Sequence, residues 1–260
     1  MEINTVNDTV CATELMCVDK QKLQVVENFH YSSFANIPEV GGIIGFGKEI
    51  KPEEDATDAD DEQISSFFWS FYLKEADRLK VKPMFGIFLK PNGHSGDLPD
   101  GIMTLGGANA KFVPSGQEVN WVLAEKSSQS WQMTLAKVRL GDEPLDRSSL
   151  HYDVLTLRMM KSVLGLPTTT YKSLEAAIHN LPERLFKCNV EGCFANKVCS
   201  ELKDALPPLE FDLLQGKTLS LSFNNLLQDG YNTYGQPNCQ IMIKDFGSSS
   251  NEIHVGQAIF

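Results

Sequence analysis

DGIMTLGGANAKFVPSGQEVNWVLAEKSSQSWQMTLAKVRL, residues Asp100 to Leu140, is the stretch whose reading decides the fold. Ile102 to Leu105 is a short apolar run that stops at Gly106-Gly107, a turn with no side chains in its way. Two further runs follow, Val119 to Leu123 and Trp131 to Leu135, with a polar connection, Ala124 to Ser130, between them. In the last run Trp131, Met133 and Leu135 alternate with Gln132, Thr134 and Ala136. That period of two belongs to a strand with one buried face. The pattern predicts three strands joined as hairpins.

The rest of the chain bounds what such strands can belong to. With 260 residues and 42% hydrophobic content, the chain is long enough for one large domain or two lobes around a sizeable core. The net charge is −11, from 34 acidic against 23 basic residues. Phosphate binding wants clustered Lys and Arg, so no nucleic-acid partner is expected. No apolar run approaches the roughly eighteen residues of a membrane span. Met1 to Val10 has neither a basic start nor an apolar stretch, so no signal peptide is expected in the chain as given.

In chain order, Asn7 to Val10 and Leu23 to Phe29 are rich enough in β-branched and apolar residues to read as strands. Gly41-Gly42-Ile43-Ile44-Gly45-Phe46-Gly47 reads as a buried strand framed by glycines where backbones approach closely. Its glycine spacing does not fit a dinucleotide fingerprint. Lys48 to Gln63 is a solvated acidic loop, without the central glycine and closing Glu of a calcium loop. From Ile64 to Leu79, Phe68, Phe71, Tyr72, Ala76 and Leu79 recur at helical spacing and predict an amphipathic helix. Met84 to Leu89 and Tyr152 to Leu157 read as strands. Thr168 to Ile178 reads as a short helix with a Thr cap. Leu206 to Phe223 reads as a hairpin turning at Gln215-Gly216. Ile253 to Phe260 closes the chain.

Several of these pieces, in this order, resemble the pepsin-like aspartic peptidase family. The glycine turn at Gly106-Gly107, the NWV of Asn120 to Val122 and the tryptophan-led strand from Trp131 match the middle of that family, where its first lobe hands over to its second. Gly41 to Gly47 resembles its first-lobe D-G-I-I-G-F-G element, with Gly41 in place of the usual Asp. Ser162 to Thr168, Leu206 to Gly216 and Val255 to Phe260 resemble three later second-lobe segments. The resemblance covers about residues 23–260. It implies an all-β, bilobal fold with a partial first lobe over residues 1–117 and a second lobe over 118–260. It also implies that the first aspartate and its flap belong upstream of Met1, and that the second lobe lacks its final strands. Sheet edges left open in that way are expected to make the chain self-associate.

The family hydrolyses peptides with two carboxylates that share one proton, each in a D-[ST]-G turn. No D-[ST]-G occurs here. Asp8-Thr9-Val10 lacks the glycine, and Asp245-Phe246-Gly247 lies near the end of the second lobe, where no catalytic residue is expected. Counting back from Ser162 to Gly165 puts Arg158 where the second aspartate belongs, followed by Met159, Met160 and Lys161. A guanidinium stays protonated and cannot act as the base. Asp153, on the preceding strand, is not expected to replace it. The chain is therefore expected to be a catalytically inactive homologue of the endopeptidases. Two alternatives stand beside this: a fragment or misassembled gene model of an active enzyme, and a non-enzymatic secreted binding protein on the same scaffold.

His30, His94, His151, His179 and His254 form no H-E-x-x-H pair, and no G-x-S-x-G elbow is present. The spacing of Cys188, Cys193, Cys199 and Cys239 fits no common zinc pattern. The family resemblance instead implies disulfides, with Cys199–Cys239 spanning the Leu206 hairpin and Cys188–Cys193 closing a local loop. Cys11 and Cys17 have no partner to suggest beyond each other. No metal and no cofactor are expected, and a peptide or protein is the implied ligand. The resemblance implies a secreted or lysosomal destination.

Overall fold

The computed structural model describes residues 3–13, 16–26, 46–48, 66–79, 82, 84–89, 101–107, 109, 111, 113, 116, 119, 121–126, 128, 130–145, 153–158, 163–181, 185–189, 192–247 and 251–256. The chain divides into two compact units. One comprises Met1–Phe88, Gly101–Gln117 and Ser127–Gln129, the other Leu89–Asp100, Glu118–Lys126 and Ser130–Phe260.

In the first unit the β-branched start of the chain forms a hairpin of β1 (Ile3–Thr13) and β2 (Met16–Val26). Cys11 and Cys17 face each other across it and are joined by a disulfide. Helix α1 (Phe67–Leu79) starts after Ser66, whose hydroxyl accepts the Trp69 N–H at 3.3 Å, a side-chain cap for an otherwise unpaired donor. Phe67 and Phe71, one turn apart, bury against Val18 of β2, with Val10, Phe46 and Leu105 around them. Phe46, Phe68 and Phe85 form a second cluster, ring centres 5.2 to 5.9 Å apart. The last of these opens β3 (Phe85–Leu89), which pairs with β4 (Gly101–Leu105). Phe46 to Lys48 are not in a strand. The rest of the Gly41 element, most of the acidic loop and the end of the Leu23–Phe29 run lie outside the described residues.

The second unit is built on β5 (Gln132–Leu140). Met133 and Leu135 are buried, then Ala136 and Lys137 are both exposed, and Val138 and Leu140 are buried again. A β-bulge explains the change of phase. The pairing passes from Asp212↔Lys137 to Leu213↔Leu135, which leaves Ala136 without a partner residue. One extra residue returns the following apolar residues to the core. After β5 come β6 (Glu143–Pro144), β7 (Val154–Leu157), β8 (Leu164–Leu166), α2 (Thr168–His179), β9 (Lys187–Asn189) and β10 (Gly192–Ala195). Then follow β11 (Leu209–Leu213), β12 (Thr218–Leu221), β13 (Leu227–Tyr231), β14 (Pro237–Ile241), β15 (Ile243–Asp245) and β16 (Glu252–Val255). One sheet of eight strands runs β12-β11-β5-β7-β16-β8-β15, with β6 against β5, and a second runs β13-β14-β10-β9. Leu135, Leu155, Leu209, Phe211, Ile253 and Val255, all fully enclosed, lie at the centre of the core.

Two local expectations are corrected. Val119 and residues 121–123 are not in a strand. In place of a strand ladder, the Gln215 side chain donates to the Leu123 carbonyl at 2.6 Å and accepts the Leu123 N–H at 2.8 Å. Val122 packs on the core while Trp121 and Leu123 are exposed, so the run alternates as a strand does but pairs with an amide side chain. The N-cap of α2 is Pro167, without a side-chain cap bond. The Thr168 hydroxyl donates instead to Asp245 Oδ1 at 2.8 Å.

The bulge also turns Arg139 to the outer face of the sheet, beside two acids of β11. Its Nε and Nη2 donate to Asp212 at 2.8 and 3.1 Å, and Nη2 lies 2.5 Å from Glu210 Oε2. The bond from Arg139, aided by the Thr218 hydroxyl, holds the Asp212 carboxyl down at about 2. A carboxyl depressed in the folded state stabilises it fully above the ordinary value of 3.8, and that contribution is lost as pH falls through about 2. Unfolding followed across this window should show the native chain losing more stability on acidification than Asp212→Asn. Parallel losses would refute the assignment.

Candidate functional site

Arg158, which the sequence resemblance leads one to expect where the second catalytic aspartate belongs, follows directly on β7. Its N–H donates to the Val255 carbonyl at 2.8 Å, which ties the strand end to β16. Its side chain is 44% exposed, and Nη2 lies 3.6 Å from Glu252 Oε2, within ion-pair range. The same oxygen is 2.8 Å from His254 Nε2, and Glu252 Oε1 lies 3.4 Å from Gln132 Nε2. The Glu252 carboxylate is thus shared among Arg158, His254 and Gln132.

These residues belong to one polar row. Gln132 pairs with Thr156, Thr156 with His254, and His254 with Gly165, across β5, β7, β16 and β8. Two residues along from Thr156 and His254, Arg158 and Glu252 share that face. The opposite face carries Leu155, Ile253 and Val255 into the core. Gly165 has a specific reason to lack a side chain, because a Cβ there would fall 2.3 Å from the Phe246 ring. That ring sits edge-on to His254, centres 5.0 Å apart.

Two atoms of the row are enclosed without a hydrogen-bond partner among the described residues, Thr156 Oγ1 and His254 Nδ1. Each such group costs about 1–3 kcal/mol. Thr, His and Glu are the residue types of a hydrolytic triad. Thr156 is fully buried, however, so no substrate carbonyl reaches its oxygen. Asp153 is buried at the foot of β7, three residues from Thr156 and on the other face from Arg158. Asp245 Oδ1 accepts from the Gly247 N–H and from Thr168, a turn that fastens the start of α2. Asp8 lies on β1, in the other unit.

The cysteines are fully paired, as Cys11–Cys17, Cys188–Cys193 and Cys199–Cys239. Cys188 and Cys193 are register partners on β9 and β10, and Cys199, in a 3-10 turn, is tied to the core of β14. Glu175 stands with Cys188 and Cys193 in a group whose ligand-type atoms lie within 4.8 Å of one another, but the bridged sulfurs offer no thiolate to a metal. Beside them is a small, mostly apolar recess lined by Tyr171, Leu174, Ile178, Ile241 and Ile243. Burial, then Glu175, pushes the Tyr171 phenol up to about 12. His179 is exposed at the end of α2, and His30, His94 and His151 lie outside the described residues.

Glu252, His254, Thr156 and Gln132 are not legible as a group in the sequence. The polar-apolar alternation of Glu252 to Val255 was visible, but strand neighbours are set by register, which no local pattern encodes. Among the described residues, no helix is long and apolar enough to cross a membrane. No family model and no curated protein matches the sequence. Among solved structures, the chain is similar to basic 7S globulin from soybean, a protein of pepsin-like fold. The TM-score is 0.51 at 12% identity, over 72% of this chain and 48% of that one. The chain therefore spans about half the length of that structure, and at such low identity the likeness is one of fold. Its own fold is all-β and pepsin-like.

Proposed function

We propose that this chain is a pepsin-like homologue that does not hydrolyse peptides, with residues 1–117 corresponding to the first lobe and 118–260 to the second. Arg158 is the observation that carries the reading. A pepsin-like site needs two carboxylates, one to activate water and one to protonate the carbonyl. A guanidinium only donates hydrogen bonds and holds its proton at any working pH, so it performs neither step. This holds whatever precedes Met1, because a single aspartate has no partner with which to share the proton. Glu252 does not stand in, since it lies on β16 and its oxygens are engaged by His254, Arg158 and Gln132. What remains to such a scaffold is binding, with a peptide or protein as the ligand class and no cofactor.

The test is incubation of the whole chain with denatured haemoglobin at acidic pH, with and without a transition-state-mimic inhibitor. The expected result is no inhibitor-sensitive cleavage. Arg158→Asp should be equally inactive, because Met159 and Met160 stand where the turn wants small residues. Inhibitor-sensitive cleavage by the unaltered chain overturns the reading. Calorimetry with peptide mixtures then separates peptide binding, which gives saturable heat, from a role confined to the outer surface.

A further inference from the structure

Only one tripeptide in the chain has the form Asn-X-Ser/Thr with X other than Pro: Asn7-Asp8-Thr9, on β1. This is the acceptor pattern for N-linked glycosylation. A tripeptide alone is weak evidence, since the same letters occur by chance in buried positions. The structure adds independent support. Asn7, Asp8 and Thr9 are all exposed. The Asn7 side chain makes no hydrogen bond among the described residues, so its amide is available without breaking a contact. The Asp8 carboxylate accepts the Thr9 N–H at 2.7 Å. The Thr9 hydroxyl makes a single long contact, 3.3 Å to Asp19 Oδ1.

The backbone places the pair well. Asn7 and Thr9 are two apart on an extended strand and so project on the same side. Val10, one step out of phase with them, is the residue that packs towards Val18, Phe67 and Phe71. A sugar on Asn7 therefore points away from that core. Opposite Thr9 the pairing passes from Asp8↔Gln21 to Val10↔Val18, and Lys20 takes up the extra residue at φ 57°. That irregularity leaves Thr9 without a register partner. All six cysteines are bridged, the usage of a protein matured in an oxidising compartment, where this modification is made.

We propose that Asn7 is an N-glycosylation site. In the transfer, Asn7 Nδ2 bonds to the anomeric carbon of an oligosaccharide carried on a lipid diphosphate. The bond from that carbon to the diphosphate oxygen breaks, the lipid diphosphate leaves with the electron pair, and the amide nitrogen loses one proton. Nothing is oxidised or reduced.

The experiment directs the whole chain into the secretory pathway of a eukaryotic cell, with a second Asn-X-Thr acceptor appended at the C-terminus as an entry control. Removal of N-glycans by an amidase leaves Asp at each occupied position, which peptide mass spectrometry reads. The expected result is Asp at position 7 in most molecules. One mobility step should be lost in Asn7→Gln and in Thr9→Ala and kept in Thr9→Ser. Recovery of unmodified Asn7 from molecules whose appended acceptor is glycosylated overturns the proposal.

Discussion

Replacing both Cys199 and Cys239 by Ala should lower the stability of the second unit by about 4 kcal/mol, the larger of its two disulfide effects. The bridge closes a loop of sequence separation 40, and loop-closure entropy predicts roughly that loss at 25 °C. In a unit of this size a loss of ~4 kcal/mol moves the thermal midpoint by about 8–16 °C. Alanine is the right replacement because Cys239 is fully buried, and a Ser hydroxyl there would add a second cost. The Cys188–Cys193 bridge is the internal comparison. Its separation is 5, so the same account gives about 2 kcal/mol for the paired Ala variant. Chemical denaturation of the two double variants measures the ratio. Equal losses would mean that native contacts around each bridge, and not the closed loop, set the stabilisation.

The legible parts of this fold were those with a local period. Met133 and Leu135 announced β5, Phe68 and Phe71 announced α1, and Leu174 and Ile178 announced the buried face of α2. The expectation for Arg158 is of another kind, since counting along a motif uses no knowledge of the strands beside it. What failed, failed through tertiary pairing. Val119 to Leu123 has the composition of a strand, yet its polar groups are met by Gln215, ninety-two residues away from Leu123. The polar row of Gln132, Thr156 and His254 draws on three strands remote in sequence. The hairpin of β13 and β14 carries Gly230, Asn232 and Gly235 and exposes Tyr231 and Tyr234, so it offered no apolar alternation to read.

The pepsin-like fold and the chemistry of its strand ends depend on different residues. Leu155, Ile253 and Val255 on one face of β7 and β16 hold the strands in the core. Thr156, Arg158, Glu252 and His254 lie on the other face. Arg158 adds no unpaired charge to the core, since its side chain is 44% exposed and has Glu252 to face.

Phe211→Ala should be the most damaging single substitution of those considered. Phe211 is fully enclosed on β11, opposite Val138 of β5 on one side and Leu219 of β12 on the other. Truncating a buried Phe loses its transfer free energy and leaves a cavity, together about 3–5 kcal/mol. That approaches the whole stability of a domain, roughly 5–15 kcal/mol. Phe211→Leu refills most of the volume and should cost about 1–2 kcal/mol. Leu214→Ala, at a side chain 56% exposed three residues on, should change stability by no more than about 0.5 kcal/mol. The contrast depends on the bulge at Ala136, because a strand paired one residue out of register would present Phe211 to solvent. Urea unfolding of the three variants reads it directly. Similar midpoints for Phe211→Ala and Leu214→Ala would show that β11 is not in this register, and the pairing of Arg139 with Asp212 would fall with it.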